Sequence, residues 1–174
     1  FIGRTSEKSN FNILLEAFKH PSLNDISLNI IGNDKSCSYF NEFQTDLISK
    51  FKINWYGTLT NEEEISRVAN KCQIFVYPGA VGLSLIHAMA YGLPCLVHSN
   101  RLQHMPEIAA FQRGITGLTF QPNDSTDLAV KLLAMMSNPK SLNLMSENCL
   151  KTVENDFNTS KMVKRFIKFI KKLK

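Results

Sequence analysis

Residues 72–77, Cys-Gln-Ile-Phe-Val-Tyr, are apolar at nearly every position, and Pro78-Gly79 breaks the run at once. A short strand that is apolar on both faces belongs inside a parallel sheet, because only there do helices keep both faces out of water. The rest of the chain fits that requirement. Short β-rich runs at residues 1–4, 26–31, 53–56, 95–98 and 117–121 alternate with longer stretches of helical periodicity. We therefore expect an α/β fold, a doubly wound, Rossmann-like parallel sheet of about six strands, in one domain over residues 1–174.

Start and stop signals agree with this. Ser6, Ser9 and Asn10 precede a helix that puts Ile13, Leu14, Ala17 and Phe18 on one face, and a second helix is expected over residues 41–50. Thr60, with Glu63 three residues on, reads as a capping box for a helix burying Ile65, Val68 and Ala69. A helix over residues 82–91 stops at Gly92, with Pro94 beyond it. Another near residues 106–111 is closed by Gly114. Asp124 or Ser125 caps the next, and two more follow Pro139 and Ser160. The first residue is Phe1, already strand-like, so the chain reads as a piece of a longer protein.

Composition excludes several classes. With 44% hydrophobic and 20% charged residues the chain is neither disordered nor low-complexity, and no apolar run approaches the ~20 residues of a membrane span. Cys37, Cys72, Cys95 and Cys149 form no Cys-x-x-Cys pair and read as reduced thiols of a cytosolic protein. The fingerprints G-x-G-x-x-G, G-x-x-x-x-G-K-S/T and G-x-S-x-G are absent, which excludes a usual nicotinamide dehydrogenase, P-loop NTPase or serine hydrolase. No set of His, Cys, Asp and Glu has metal-ligand spacing, so no structural zinc is expected. Of 20 Lys and Arg, seven lie in residues 160–174, which contain no acid. The remaining thirteen face fifteen Asp and Glu. The body is slightly acidic and the basicity belongs to the tail, so no nucleic-acid partner is expected.

In open α/β sheets ligands bind beyond the carboxyl ends of the strands. The positions to question are therefore residues 3–8, 32–34, 57–59, 78–82 and 98–104. The segment 77–94 is the most informative of these. A buried strand ends in Pro-Gly, and small residues lead into a helix at Gly82. The free N–H groups of Gly82, Leu83 and Ser84 would face the crevice as an anion site, reinforced by the helix dipole. The alternative is a glycine-rich strand–helix turn with no ligand.

At this point the chain resembles the C-terminal, nucleotide-sugar-binding domain of GT-B glycosyltransferases, in the family of glycosyl transferases group 1 (family four). The resemblance runs through Gly3-Arg4 with Glu7-Lys8, Ile30-Ile31-Gly32, Tyr56-Gly57 and the block 78–94. It continues in Pro106-Glu107-Ile108, Gly114-Ile115-Thr116-Gly117-Leu118 and Asn123-Asp124. It implies that Arg4, Lys8, Gly82, Leu83 and Ser84 hold the donor diphosphate. His87, Gly57, Thr58 and Leu59 would meet the ribose and base, and Gly79, Ala80, Val81 and Glu107 the donor sugar. Cations and helix N–H groups take the counter-charge role in such sites, so no metal is expected there.

Two family glutamates with seven residues between them are replaced by Gly79 and His87; the resemblance implies that the first meets the donor sugar and the second the ribose hydroxyls. Some bacterial surface-polysaccharide transferases resemble this chain more closely, with Pro-Gly-x-Val-Gly-Leu and Ile-His-Ala in the block. Arg4 and Lys8 are one residue closer than is usual. His98 and His104 flank the crevice and read as structural.

The resemblance implies the donor-binding half of a retaining glycosyltransferase. It would move a sugar from a nucleotide-diphosphate sugar to a lipid-linked glycan acceptor in surface polysaccharide synthesis, with an N-terminal acceptor domain elsewhere. The alternatives are a GT-B nucleotide-sugar epimerase and a non-catalytic binding module. In the tail, Val163, Phe166, Ile167, Ile170 and Leu173 fall at helical spacing with the lysines opposite. Such a helix packs on the core, and its basic side suits an anionic membrane surface. The expected place is the cytoplasm, peripheral to the inner face of the plasma membrane.

Overall fold

The computed structural model describes residues 1–33 and 51–172. Among these, five strands are formed: β1 (Leu28–Ile30), β2 (Ile53–Trp55), β3 (Phe75–Tyr77), β4 (Cys95–His98) and β5 (Gly117–Phe120). The α-helices are α1 (Phe11–Phe18), α2 (Glu62–Ala69), α3 (Leu83–Ala90), α4 (Ser125–Met136), α5 (Pro139–Asp156) and α6 (Thr159–Lys172). Every pairing is parallel, β1 with β2 and β3 with β4 with β5. Each residue of β3 and β4 is buried, as a strand covered on both faces requires. Helix α1 packs on α4 and β3, and α3 packs on α5 and β4.

The fold class is the expected one, but the strands fall into groups of two and three instead of about six in one sheet. The reason lies at the start of the chain. Ile2 makes one isolated parallel bridge to Ile31. Gly3 N–H donates to the Ile31 carbonyl at 3.0 Å, and Ile31 N–H to the Phe1 carbonyl at 2.9 Å. Past Gly3 the chain turns into a buried Thr5 and a 3-10 turn at Glu7–Ser9, so the ladder stops. Toward β3 this segment makes side-chain contacts, with the Phe1 and Tyr77 rings stacked at 5.0 Å.

Other expectations shift by small amounts. Helix α2 is capped by Asn61, not Thr60: the Asn61 side chain accepts from Glu63 N–H at 2.8 Å, so the helix begins one residue later. Its stripe of Ile65, Val68 and Ala69 is buried as read. Pro106–Ala110 is a 3-10 helix. Asp124 caps α4 by accepting from Asp127 N–H at 2.8 Å. The helix expected over residues 41–50, Cys37 and the last two residues of the tail lie outside the described residues. Cys72, Cys95 and Cys149 are free thiols. The Cys95 and Cys149 thiols both donate to the Leu93 carbonyl, and burial pushes the Cys95 thiol well up.

Helix α6 departs from expectation in a way that matters. Its apolar stripe does not pack on the domain: Val163, Phe166, Ile167 and Ile170 are exposed, and so are Met162 and Phe169. On a helical wheel these six fill one face, while Lys161, Lys164, Arg165, Lys168, Lys171 and Lys172 fill the other. Arg165 ties the helix back by binding the Asp156 carboxylate at 2.6 Å. No described helix is long and apolar enough to cross a membrane.

Candidate functional site

The loops that follow the first bridge, β1, β2 and β3 meet at one rim, and glycines let them touch. A Cβ built on Gly79 would lie 2.2 Å from the Lys8 carbonyl and 2.6 Å from Ser9 Cα. A Cβ on Gly32 would lie 2.2 Å from the Gly3 carbonyl. Only hydrogen fits at either place. The turn carrying Lys8 is therefore pressed on the loop that follows β3. Ala80 N–H donates to the Lys8 carbonyl at 3.1 Å. The turn holds its own shape through Ser9, whose hydroxyl donates to the Ser6 carbonyl at 2.6 Å and accepts from Ser6 N–H at 3.0 Å.

Helix α3 starts beside this turn. Gly82 is its cap, and among the described residues the N–H groups of Gly82, Leu83 and Ser84 find no acceptor. Unsatisfied N–H groups at a helix start carry the positive end of its dipole. Lys8 and Arg4 are exposed and form no ion pair among the described residues. Arg4 is close enough for its charge to act on Tyr77, whose hydroxyl is pushed up chiefly by burial and drawn partly back by Arg4. The Glu107 carboxylate approaches the same helix start, with Oε2 3.7 Å from a Cβ built on Gly82.

Of the positions assigned to the donor sugar, Val81 is engaged within the protein. Its side chain is fully buried. Its N–H donates to His104 Nδ1 at 3.2 Å, and its carbonyl accepts from Met105 N–H at 3.0 Å. Gly79 is covered by the Lys8–Ser9 backbone, so of residues 79–81 the partly exposed Ala80 is the one on the rim. His104 also places Nε2 2.9 Å from the His98 carbonyl. Serving both partners puts its proton on Nε2 and leaves Nδ1 free to accept, a neutral ring that burial favours by lowering its pKa. His104 thus pins the loop after β4 to the loop after β3, a structural role in keeping with the sequence reading.

His87 lies one turn into α3, partly exposed, with Nε2 2.8 Å from Glu62 Oε1 on the first turn of α2. The Tyr91 hydroxyl donates to the same carboxylate oxygen. These bonds, Tyr91 first and His87 second, hold the Glu62 carboxyl below its usual range. Burial and then Glu62 push the Tyr91 hydroxyl up to about 12. Leu59 and Tyr91 pack on one small cluster of Ile31, Ile65 and Val68, which sets residues 57–59 beside this triad. Gly57 accepts from Gly32 N–H at 2.8 Å. Thr58 is exposed. Glu62 and Tyr91 were not among the residues the sequence singled out. Tyr91 stands four residues after His87 on one helix face, and that spacing was a usable signal.

The arrangement is a shallow rim with two exposed cations and a free helix start at one side, and a carboxylate held by two donors at the other. It suits a ligand with an anionic centre and a hydroxyl-rich end. A cavity of about 200 Å³ bounded by Phe18, Leu28, Cys72 and Met136 opens at the opposite, amino ends of β1 and β3.

The family model "Glycosyl transferases group 1" matches residues 1–152. A Klebsiella pneumoniae protein described as an uncharacterized 41.2 kDa protein in the cps region is 24% identical over 98% of this chain and 45% of its own length. The Escherichia coli UDP-Gal:alpha-D-GlcNAc-diphosphoundecaprenol alpha-1,3-galactosyltransferase is 27% identical over 70% of this chain and 30% of its own. Among solved structures, Anabaena HepE in complex with UDP and glucose superposes with a TM-score of 0.76 at 13% identity, covering 98% of this chain and 48% of that one. The chain spans less than half the length of these relatives.

Proposed function

Because the chain belongs to the glycosyl transferases group 1 family, we propose that it is the donor-binding half of a retaining glycosyltransferase that carries a sugar from a nucleoside-diphosphate donor to a lipid-linked glycan acceptor. The observation that carries this reading is the docking of the Lys8 turn on the Gly79 loop, which brings the turn that carries Lys8 next to the start of α3, where the N–H groups of Gly82, Leu83 and Ser84 have no acceptor among the described residues. Transfer breaks the bond between sugar C1 and the diphosphate oxygen and joins C1 to an acceptor hydroxyl oxygen; the leaving nucleoside diphosphate keeps the electron pair, and the hydroxyl proton is given up to the leaving phosphate or to solvent. Charge therefore builds where Lys8, Arg4 and the N–H groups of Gly82, Leu83 and Ser84 would stabilise it.

The missing ribose-binding glutamate has a local substitute. Glu62 reaches His87 from the neighbouring helix. Together they present a carboxylate and an imidazole where the family uses one side chain. Surface polysaccharide synthesis is supported by the capsule-region relative and by the diphosphoundecaprenol acceptor in the Escherichia coli relative's name. The acceptor-binding groups would lie on an N-terminal domain, and α6 would rest its exposed apolar face in an anionic membrane surface. The test is transfer by the full-length protein from labelled nucleotide sugars to a diphosphate-linked lipid glycan. Labelled lipid product supports the reading. Epimerised donor with no product contradicts it, and so does no turnover of any donor.

A further inference from the structure

The carboxyl ends of β4 and β5 hold a second polar concavity that the donor reading leaves unused. A cavity of about 170 Å³ opens there, with His98, Ser99, Arg101, His104, Arg113 and Thr119 in its wall and no carboxylate among the described residues. The described arginines in ion pairs are Arg67 and Arg165. Neither the Arg101 nor the Arg113 side chain has a hydrogen-bond or ion-pair partner among the described residues. Two unpaired guanidinium groups on one small cavity raise its positive potential, and each offers a planar fork that matches an oxyanion.

The base of the cavity is equally unsatisfied. His98 is 4% exposed, and its Nδ1 has no hydrogen-bond partner among the described residues. Its ring is stacked on His104 at 3.8 Å, which fixes its plane. A buried polar atom without a partner is costly, and its persistence calls for a ligand or ordered water. The Ser99 and Thr119 hydroxyls are likewise unspent among the described residues.

We infer that this cavity is an oxyanion subsite that takes a phosphate group, built from Arg101, Arg113 and the hydroxyls of Ser99 and Thr119 over the His98 ring. It adjoins the α3 start without being part of it, since His104 and Met105 are tied to Val81, the residue before the cap. The phosphate can come from a phosphate-bearing acceptor or from free phosphate in solution. The proposal does not rest on the donor reading, because its residues are none of those assigned to the donor.

Histidine ring NMR on the chain tests it, with inorganic phosphate and a short-chain alkyl phosphate as probes, each with and without saturating UDP. The expected result is a saturable shift of the His98 ring that survives UDP. Arg101→Gln with Arg113→Gln, both exposed and so safe for folding, should weaken it roughly tenfold or more. Tighter binding of the alkyl phosphate assigns the site to an acceptor, and tighter inorganic phosphate assigns it to the free ion. No saturable shift overturns the proposal, as does a shift undiminished in the double variant.

Discussion

Glu62 holds two donors on one oxygen, His87 and Tyr91. That contact changes what a substitution at His87 must do. His87→Glu would restore the residue usual in the family, yet it sets a second carboxylate against the first. We expect H87E to lower the melting temperature and weaken UDP binding, and Glu62→Gln to rescue both, because the repulsion needs both charges. Equal behaviour of H87E in the two backgrounds would contradict this. That His87 lies on a partly exposed face of α3 was legible from helical spacing alone. Glu62 was not, since an acid in a first helical turn reads as a dipole partner until its neighbours are known.

His98 sets a second residue-scale prediction. Burial first, and His104 next, hold its pKa down at about 4, against 6.5 for a free histidine. Between those values the unfolded chain takes up a proton that the folded chain refuses. Stability from this group is therefore present above about pH 6.5 and is lost as pH falls toward 4. His98→Phe should flatten that part of the stability profile. Thermal melts from pH 7 to pH 4 check it, and a constant gap between wild type and variant would show the assignment to be wrong.

At the scale of elements, the site depends on a three-residue turn fitted onto a loop. A methyl group at residue 79 has a backbone oxygen 2.2 Å away, which cannot swing aside as a side chain would. Gly79→Ala should cost about 1–3 kcal/mol of stability. It should also weaken UDP binding, because the turn it displaces carries Lys8. A variant as stable as wild type by denaturant titration would mean the turn is not docked there. Pro78-Gly79 was legible as a break after β3. Its reason, room for the Lys8–Ser9 backbone, was not, because that contact joins segments some seventy residues apart in sequence. Thr60 misled for the opposite reason: two adjacent residues can both cap, and the geometry of Asn61 decided it.

At the scale of the molecule, charge and apolar surface are segregated. The body is slightly acidic, while α6 carries six cations on one face and six exposed apolar side chains on the other. The amphipathic pattern was legible. What it faces was not, since periodicity shows that a helix has an apolar side and not what covers it. Each basic residue near an anionic surface contributes about 1 kcal/mol, screened by salt. We expect sedimentation with anionic vesicles and not with neutral ones, released by salt and abolished by deleting residues 160–174. Unchanged sedimentation after the deletion would leave the tail without a membrane role.

The alternation of strands and helices was also legible, because burial on both faces permits few arrangements. The strand count was not, since one bridge at Ile2 and a full strand look alike in sequence. The central claim is that the rim holds a nucleoside diphosphate by its phosphates. Calorimetry of UDP and uridine against the chain and its Lys8→Ala variant tests it most directly. A charge-assisted phosphate contact is worth roughly 1.5–3 kcal/mol. The account predicts that UDP binding weakens by about tenfold or more in the variant while uridine binding is unchanged. Equal losses for the two ligands, or no loss for UDP, would contradict it.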